Sequence, residues 1–317
     1  MQVIDAKAVD ERLDFPALID ALAEAFRGGL AAPARVHHQI ERAGAAATHL
    51  LMPAWTTSAF RQGAFLGTKI VSVFPDNSAR DLPAVHGVYV LQSGETGAPL
   101  AAIDGARLTQ WRTAAASALA ARYLAKGDAR RLLMVGAGAL APFLVAAHRA
   151  VRPIAEAALW NHRRAGAQRL AQRLAGGGLR VTIADDLEQA AREADVISCA
   201  TLSTSPLIKG DWLKSGQHVD LVGAFNLQMR EADDEALRRA RVFIDTEAAL
   251  HEGGDVAVAI ANGAIAKSHV VGDLAALCRG AEGRRSDDEI TLFKSVGAAI
   301  EDLAAAMLVW RKAGGAA

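Results

Sequence analysis

Residues 132–148 read LLMVGAGALAPFLVAAH, and the fold turns on this stretch. Leu132–Val135 is an unbroken apolar run, as in a strand buried on both faces. Gly136, Gly138 and Ala141 then form a G-x-G-x-x-A pattern, and apolar residues at helical spacing follow. In such a loop Gly136 makes the turn and Gly138 lets the backbone approach a pyrophosphate. Ala139 and Leu140 complete the loop where a helix N-terminus offers partial positive charge and free N–H groups. The chain holds 28 glycines and much alanine, so the pattern alone also fits a helix packed closely on a strand. The surroundings favour a dinucleotide, because a second strand ends about 25 residues on, at Asn161.

Outward from the loop, the second half of the chain alternates strand and helix. RLLMVGAG, AEAALWNH, RVTIAD, ADVISCAT, HVDLVGAF and RVFIDT read as strands, and the segments between most of them as helices. Apolar strands separated by helices indicate a doubly wound parallel sheet of Rossmann type. Ligands of open α/β sheets bind at the carboxyl ends of strands. That rule selects Ala200, Thr201 and Ser203 after one strand, and Gly223, Ala224 and Phe225 after the next. At the end of the second strand stands neutral Asn161, followed by His162, Arg163 and Arg164. An NAD site would place a carboxylate there, whereas this cluster suits a 2′-phosphate, so NADPH is the expected cofactor and NADH the weaker one. A solvated helix start is the plainer reading of the same residues.

The first half differs. PALIDALAEAF, opened by Pro16, has the apolar spacing of a helix. FLGTKIVSVFP, HGVYVLQS and PLAAIDG follow as strands joined by turns such as DNSARDLP, which indicates an antiparallel or mixed sheet in an α+β domain. LTQWRTAAASALAARYLAKGD reads as a bridging helix, and residues 287–312 read as one long amphipathic helix that packs back on the N-terminal domain. A chain of 317 residues fits about two domains. Basic and acidic residues number 35 each, which disfavours nucleic acid or an anionic membrane as partner and points to a small molecule. Cys199 and Cys278 have no companions at zinc spacing, so no metal is expected, and a reducing compartment, the cytoplasm, is.

Lys69 lies inside a β-rich apolar run, where an unpaired cation is costly. Arg112 begins an alanine-rich helix, where the dipole disfavours a cation. A carboxylate held between them accounts for both; an internal salt bridge to Asp76 or Asp104 is the alternative.

Taken together, GTKIVSVFPDN, LPAVHGVYVL, TQWRTAAASALAARYLA, VGAGALA, LVGAFNLQMREADD and ITLFKSVGAAIEDLAAA resemble the ornithine cyclodeaminase/mu-crystallin family along nearly the whole chain. The resemblance implies a homodimer. Residues 1–112, completed by a C-terminal helix at 295–317, would form the substrate and dimerisation domain, and residues 113–294 the Rossmann domain. It implies that Lys69 and Arg112 hold a substrate carboxylate, joined by Arg35, and that Thr113, Lys294 and Ser295 contact the cofactor. Cyclodeaminases carry an acidic residue where this chain has Phe225 and a threonine where it has Ala84. A hydrophobe cannot transfer a proton, so the resemblance points to the branch that reduces cyclic ketimine carboxylates, with Phe225 closing the pocket. His86 is the candidate proton donor, histidine being the residue type suited to proton transfer near neutral pH, against the plain reading of a structural histidine. Ornithine cyclodeamination, alanine or other imino-acid dehydrogenation, and non-enzymatic NADPH binding are the rival readings.

Overall fold

The computed structural model describes residues 1–80 and 82–315. Asp81, within the expected DNSARDLP turn, and residues 316–317, at the end of the expected C-terminal helix, lie outside the described residues. The chain divides into two compact units, Met1–Thr113 with the residues from Ala298 onward, and Ala114–Gly297.

The first unit begins with β1 (Gln2–Ile4), α1 (Ala6–Arg12) and α2 (Phe15–Arg27). Asp14 caps α2 by accepting from Ala17 N at 2.9 Å, with Pro16 in the first turn. Six strands follow: β2 (Leu30–Ala31), β3 (Val36–Ile40), β4 (Ala47–Thr56), β5 (Phe65–Val73), β6 (Val85–Ser93) and β7 (Pro99–Asp104). They form one mixed sheet ordered β1-β7-β6-β5-β4-β2, with β3 also on β4; only the β1–β7 pair is parallel. Cross-strand register sets the two faces. Met52, Lys69 and Tyr89 stand opposite one another in one row, and His49, Ser72 and His86 in another of opposite parity. Alternation therefore sends Lys69 and His86 to different faces of the sheet.

The helix α3 (Gly105–Leu124) runs across the boundary between the units. In the second unit come β8 (Arg131–Val135), α4 (Ala141–Val151), β9 (Glu156–Trp160), α5 (Arg164–Leu174), β10 (Arg180–Ile183), α6 (Leu187–Glu193), β11 (Val196–Cys199) and β12 (His218–Leu221). They are followed by α7 (Asp234–Arg239), β13 (Arg241–Ile244), α8 (Gly254–Ala261), β14 (Val270–Asp273), α9 (Leu274–Cys278) and β15 (Thr291–Lys294). The eight strands are all parallel, in the order β10-β9-β8-β11-β12-β15-β13-β14. Strand order reverses beside β8, the switch point where doubly wound sheets bind ligands.

Residues 287–312 are not one helix. Thr291, Leu292, Phe293 and Lys294 are buried in succession and pair with both β12 and β13, which puts β15 inside the sheet. Gly297, at φ 82°, then turns the chain into α10 (Ala299–Lys312), a helix buried along most of its length, which packs on α2, β4, β5 and β6 in the first unit. Among the described residues no helix is long and apolar enough to cross a membrane, and no group of His, Cys, Asp and Glu could hold a metal ion.

Candidate active site

The first unit buries two cations against two acids. Lys69, in β5, is 3% exposed; its Nζ donates to Asp302 Oδ1 at 3.0 Å, with Oδ2 2.8 Å away, and lies 3.5 Å from Thr109 Oγ1. Arg112 donates from Nε to Asp302 Oδ1 at 3.0 Å and from Nη1 to Glu301 Oε2 at 2.7 Å. Asp302 thus bridges the two cations, and the quartet is formally neutral. Burial, reinforced by the Arg112 charge and opposed by Asp302 and Glu301, depresses Lys69 to about 8. The G-x-K spacing has a packing cause: a Cβ on Gly67 would lie 2.4 Å from the Tyr89 hydroxyl, and Tyr89 stands opposite Lys69. Burial, then the Asp302 charge, holds that phenol well above its usual pKa.

Two expectations are corrected here. The internal anion is neither Asp76, which accepts from Ala45 N at 2.9 Å, nor Asp104, which accepts from Arg107 N at 2.7 Å. Nor does Arg112 begin a helix: α3 starts at Gly105, so Arg112 lies two turns in, beyond the reach of the N-terminal dipole. Sequence reasoning missed Glu301 and Asp302, although two acids at the head of an otherwise apolar helix were a visible signal.

The second unit presents a cleft of about 520 Å³ lined by Gly136, Ala137, Gly138, Asn161, His162, Arg163, Arg169 and residues 200–203, within the size range of cofactor sites. Its glycines fit a dinucleotide. Gly136 has φ 103°, and a Cβ there would meet Ala200 O at 2.5 Å, whereas the Cβ position of Gly138 is open. Leu140 N-caps α4 without a side-chain hydrogen bond. Asn161 accepts from Ala137 N at 3.1 Å and donates to Arg163 O at 2.8 Å, fastening the glycine loop to the start of α5.

Arg163 and His162 line the cleft, but Arg164 is paired with Asp185 and lines an adjoining hollow. Arg169, one turn along α5, lines the cleft instead. Lys294 does not face it: fully buried, its Nζ donates to Leu221 O at 3.2 Å and lies 3.4 Å from Asp255 Oδ2. Ser295 is buried beside it, with a hydroxyl that has no hydrogen-bond partner. Gly223 and Ala224 lie in the loop after β12, and Phe225 follows, 49% exposed. Arg35, just before β3, and Thr113, in α3, are half-buried. His86 stands on the opposite face of the sheet from Lys69, because its row, with Ser72 and His49, has the opposite parity.

These features define an α/β chain with a Rossmann dinucleotide-binding unit and a second unit that holds a buried cation pair. The chain belongs to the ornithine cyclodeaminase/mu-crystallin family, whose model matches residues 2–316. Delta(1)-pyrroline-2-carboxylate reductase of Colwellia psychrerythraea is 36% identical, over 98% of this chain and 99% of the relative. The structure of the Thermococcus litoralis enzyme of that name, in complex with NADH and L-proline, superposes with a TM-score of 0.91 at 30% identity, covering 100% of this chain and 99% of the other. An archaeal alanine dehydrogenase dimer with bound NAD gives 0.90 at 31% identity, covering 99% and 96%.

Proposed function

We propose that this chain is a nicotinamide-dependent oxidoreductase acting on C=N bonds, and that it reduces Δ1-pyrroline-2-carboxylate to L-proline and Δ1-piperideine-2-carboxylate to L-pipecolate, with NADPH preferred to NADH. The observation that carries the reading is the Lys69–Arg112 pair, two buried cations oriented by one carboxylate, in a chain with Phe225 at the position where cyclodeaminases carry an acid. Such a pair recognises a small carboxylate, and the names of the Colwellia and Thermococcus relatives agree with an imino acid.

In this scheme Gly136, Gly138, Asn161 and Arg163 hold the cofactor, which when bound supplies a hydride for the imine carbon. Lys69 and Arg112 hold the substrate carboxylate and so fix the ring's orientation; positioning of this kind provides much of the rate acceleration. One imine, one hydride and one proton give the amine, with the proton ending on the ring nitrogen. Phe225 offers an apolar surface that excludes water and cannot manage the amine of an open-chain diamino acid.

The test is purified protein with NADPH or NADH and each cyclic imine, followed by loss of reduced-cofactor absorbance. Oxidation with a cyclic imine supports the proposal. Oxidation only with pyruvate and ammonia moves the reading to the alanine dehydrogenase that the archaeal structure suggests. Ammonia and proline from L-ornithine, without net cofactor oxidation, would refute it.

A further inference from the structure

Glu231 lies between β12 and α7, and none of its surface is exposed. Its Oε1 accepts from Thr201 N at 2.7 Å and from Thr201 Oγ1 at 2.9 Å, and its Oε2 accepts from Gly223 N at 2.6 Å and Ala224 N at 3.3 Å. Thr201 follows β11, whereas Gly223 and Ala224 follow β12, so one carboxylate joins two adjacent loops at the ligand-binding edge of the sheet. Its own backbone is fixed: Glu231 N donates to Asp255 Oδ1 at 2.7 Å, and Glu231 O accepts from Leu207 N and Ile208 N, each at 2.9 Å. There is no slack, since a Cβ on Gly223 would lie 2.1 Å from Thr201 O and 2.4 Å from Glu231 Oε1.

We propose that Glu231 is a positioning residue of the cofactor cleft, its ionised carboxylate bracing the loop after β11 against the loop after β12 so that both present their backbone to the dinucleotide. The proposal rests on the reading of the cleft as a dinucleotide site. Chemistry selects the ionised form, because three of the four groups facing it are backbone N–H donors. A protonated carboxyl, or an amide in its place, turns a hydrogen toward them and opens part of the brace. The charged and titratable neighbours are Lys294 at the end of β15, Asp255 in the first turn of α8, Cys199 at the end of β11, and Arg230 beside it in sequence. Burial, countered first by the Lys294 charge, pushes the carboxyl up to about 7, so the brace opens as the pH falls through neutrality.

The experiment is NADH affinity, by cofactor fluorescence, from about pH 5.5 to 8.5, for the unmodified chain and for E231Q, with circular dichroism as the check on folding. NADH is the probe because it lacks the 2′-phosphate, which itself titrates near pH 6. The unmodified chain is expected to lose about tenfold in affinity toward the acid end, and E231Q to sit about tenfold weak at every pH. E231Q with the original affinity and pH slope overturns the proposal. No NADH or NADPH binding by the unmodified chain at any pH overturns instead the reading of the cleft. If E231Q does not fold, T201V serves: it removes one donor from the ionised carboxylate and moves the midpoint of the pH profile upward. A midpoint left in place overturns the proposal.

Discussion

Asp302→Asn removes the charge that bridges Lys69 and Arg112 while keeping the side chain's volume. Asp302 is completely buried and lies within 3.0 Å of both cations, so no water can take over its role without rearrangement. The neutral quartet becomes two cations against Glu301 alone, and an amide N–H₂ is turned toward donors. Breaking a buried ion pair by removing one partner costs about 3–5 kcal/mol, a large share of the roughly 5–15 kcal/mol that holds a domain together. At about 2–4 °C per kcal/mol for a unit of this size, the expected fall in Tm is roughly 6–20 °C. Differential scanning calorimetry reads it, and denaturant midpoints at unchanged slope confirm that stability rather than compactness has changed. Imine reduction at a temperature where the variant is folded should fall at least about tenfold in kcat, because Lys69 and Arg112 lose the group that aims them. A variant within about 1 kcal/mol of the parent would refute the reasoning, since it would mean that the quartet is solvated or that Glu301 alone suffices.

The remaining expectations are briefer. Arg112→Met should raise KM for the imine and lower kcat strongly while changing NADPH affinity little, as steady-state kinetics and cofactor titration will show. Replacing Arg163 and Arg169 together by alanine should erode the proposed preference for NADPH over NADH about tenfold or more in Kd, the worth of one charge-assisted phosphate contact, whereas Arg164→Ala, already engaged by Asp185, should not. His86→Ala should leave kcat/KM within about twofold of the parent, because the imidazole shares the outer row with Ser72; a drop of a hundredfold would restore it as the proton donor. Lys69 is held near 8 in the folded chain against 10.5 when unfolded, so between those pH values the unfolded chain carries a proton that the folded one has shed. Stability should therefore rise with pH across that window, by at most about 3 kcal/mol, and Lys69→Met should abolish that slope in denaturant titrations.

The parts legible from sequence were those encoded locally. Gly136 and Gly138 sit between an apolar strand and a helix within a single short segment, and the alternation from β8 to β13 repeats that logic, so the parallel sheet could be read from periodicity alone. β15 could not, because only four residues separate it from the buried helix α10, and a short buried strand has no period of its own to set it apart. The faces of the first sheet were hidden for another reason. Parity places Lys69 and His86 only once the register between β5 and β6 is known, and a slip of one residue would bring both to the same face.

What remained out of reach were the long-range partners of Lys69 and Arg112. Asp302 is 233 residues from Lys69 and 190 from Arg112, so no spacing rule could have paired them, and the two basic residues looked as though they needed a substrate to justify their burial. The quartet changes that inference. Two unpaired cations would cost the unliganded fold several kcal/mol each, whereas with Glu301 and Asp302 in place the unit is neutral before any ligand arrives. On the proposed reading, an incoming carboxylate would meet no net positive charge, and its hold would come from directed hydrogen bonds rather than from bulk attraction. A clamp of that kind favours a small, rigid anion that presents its carboxylate at one fixed angle, and a planar cyclic imino acid meets that demand better than a flexible diamino acid.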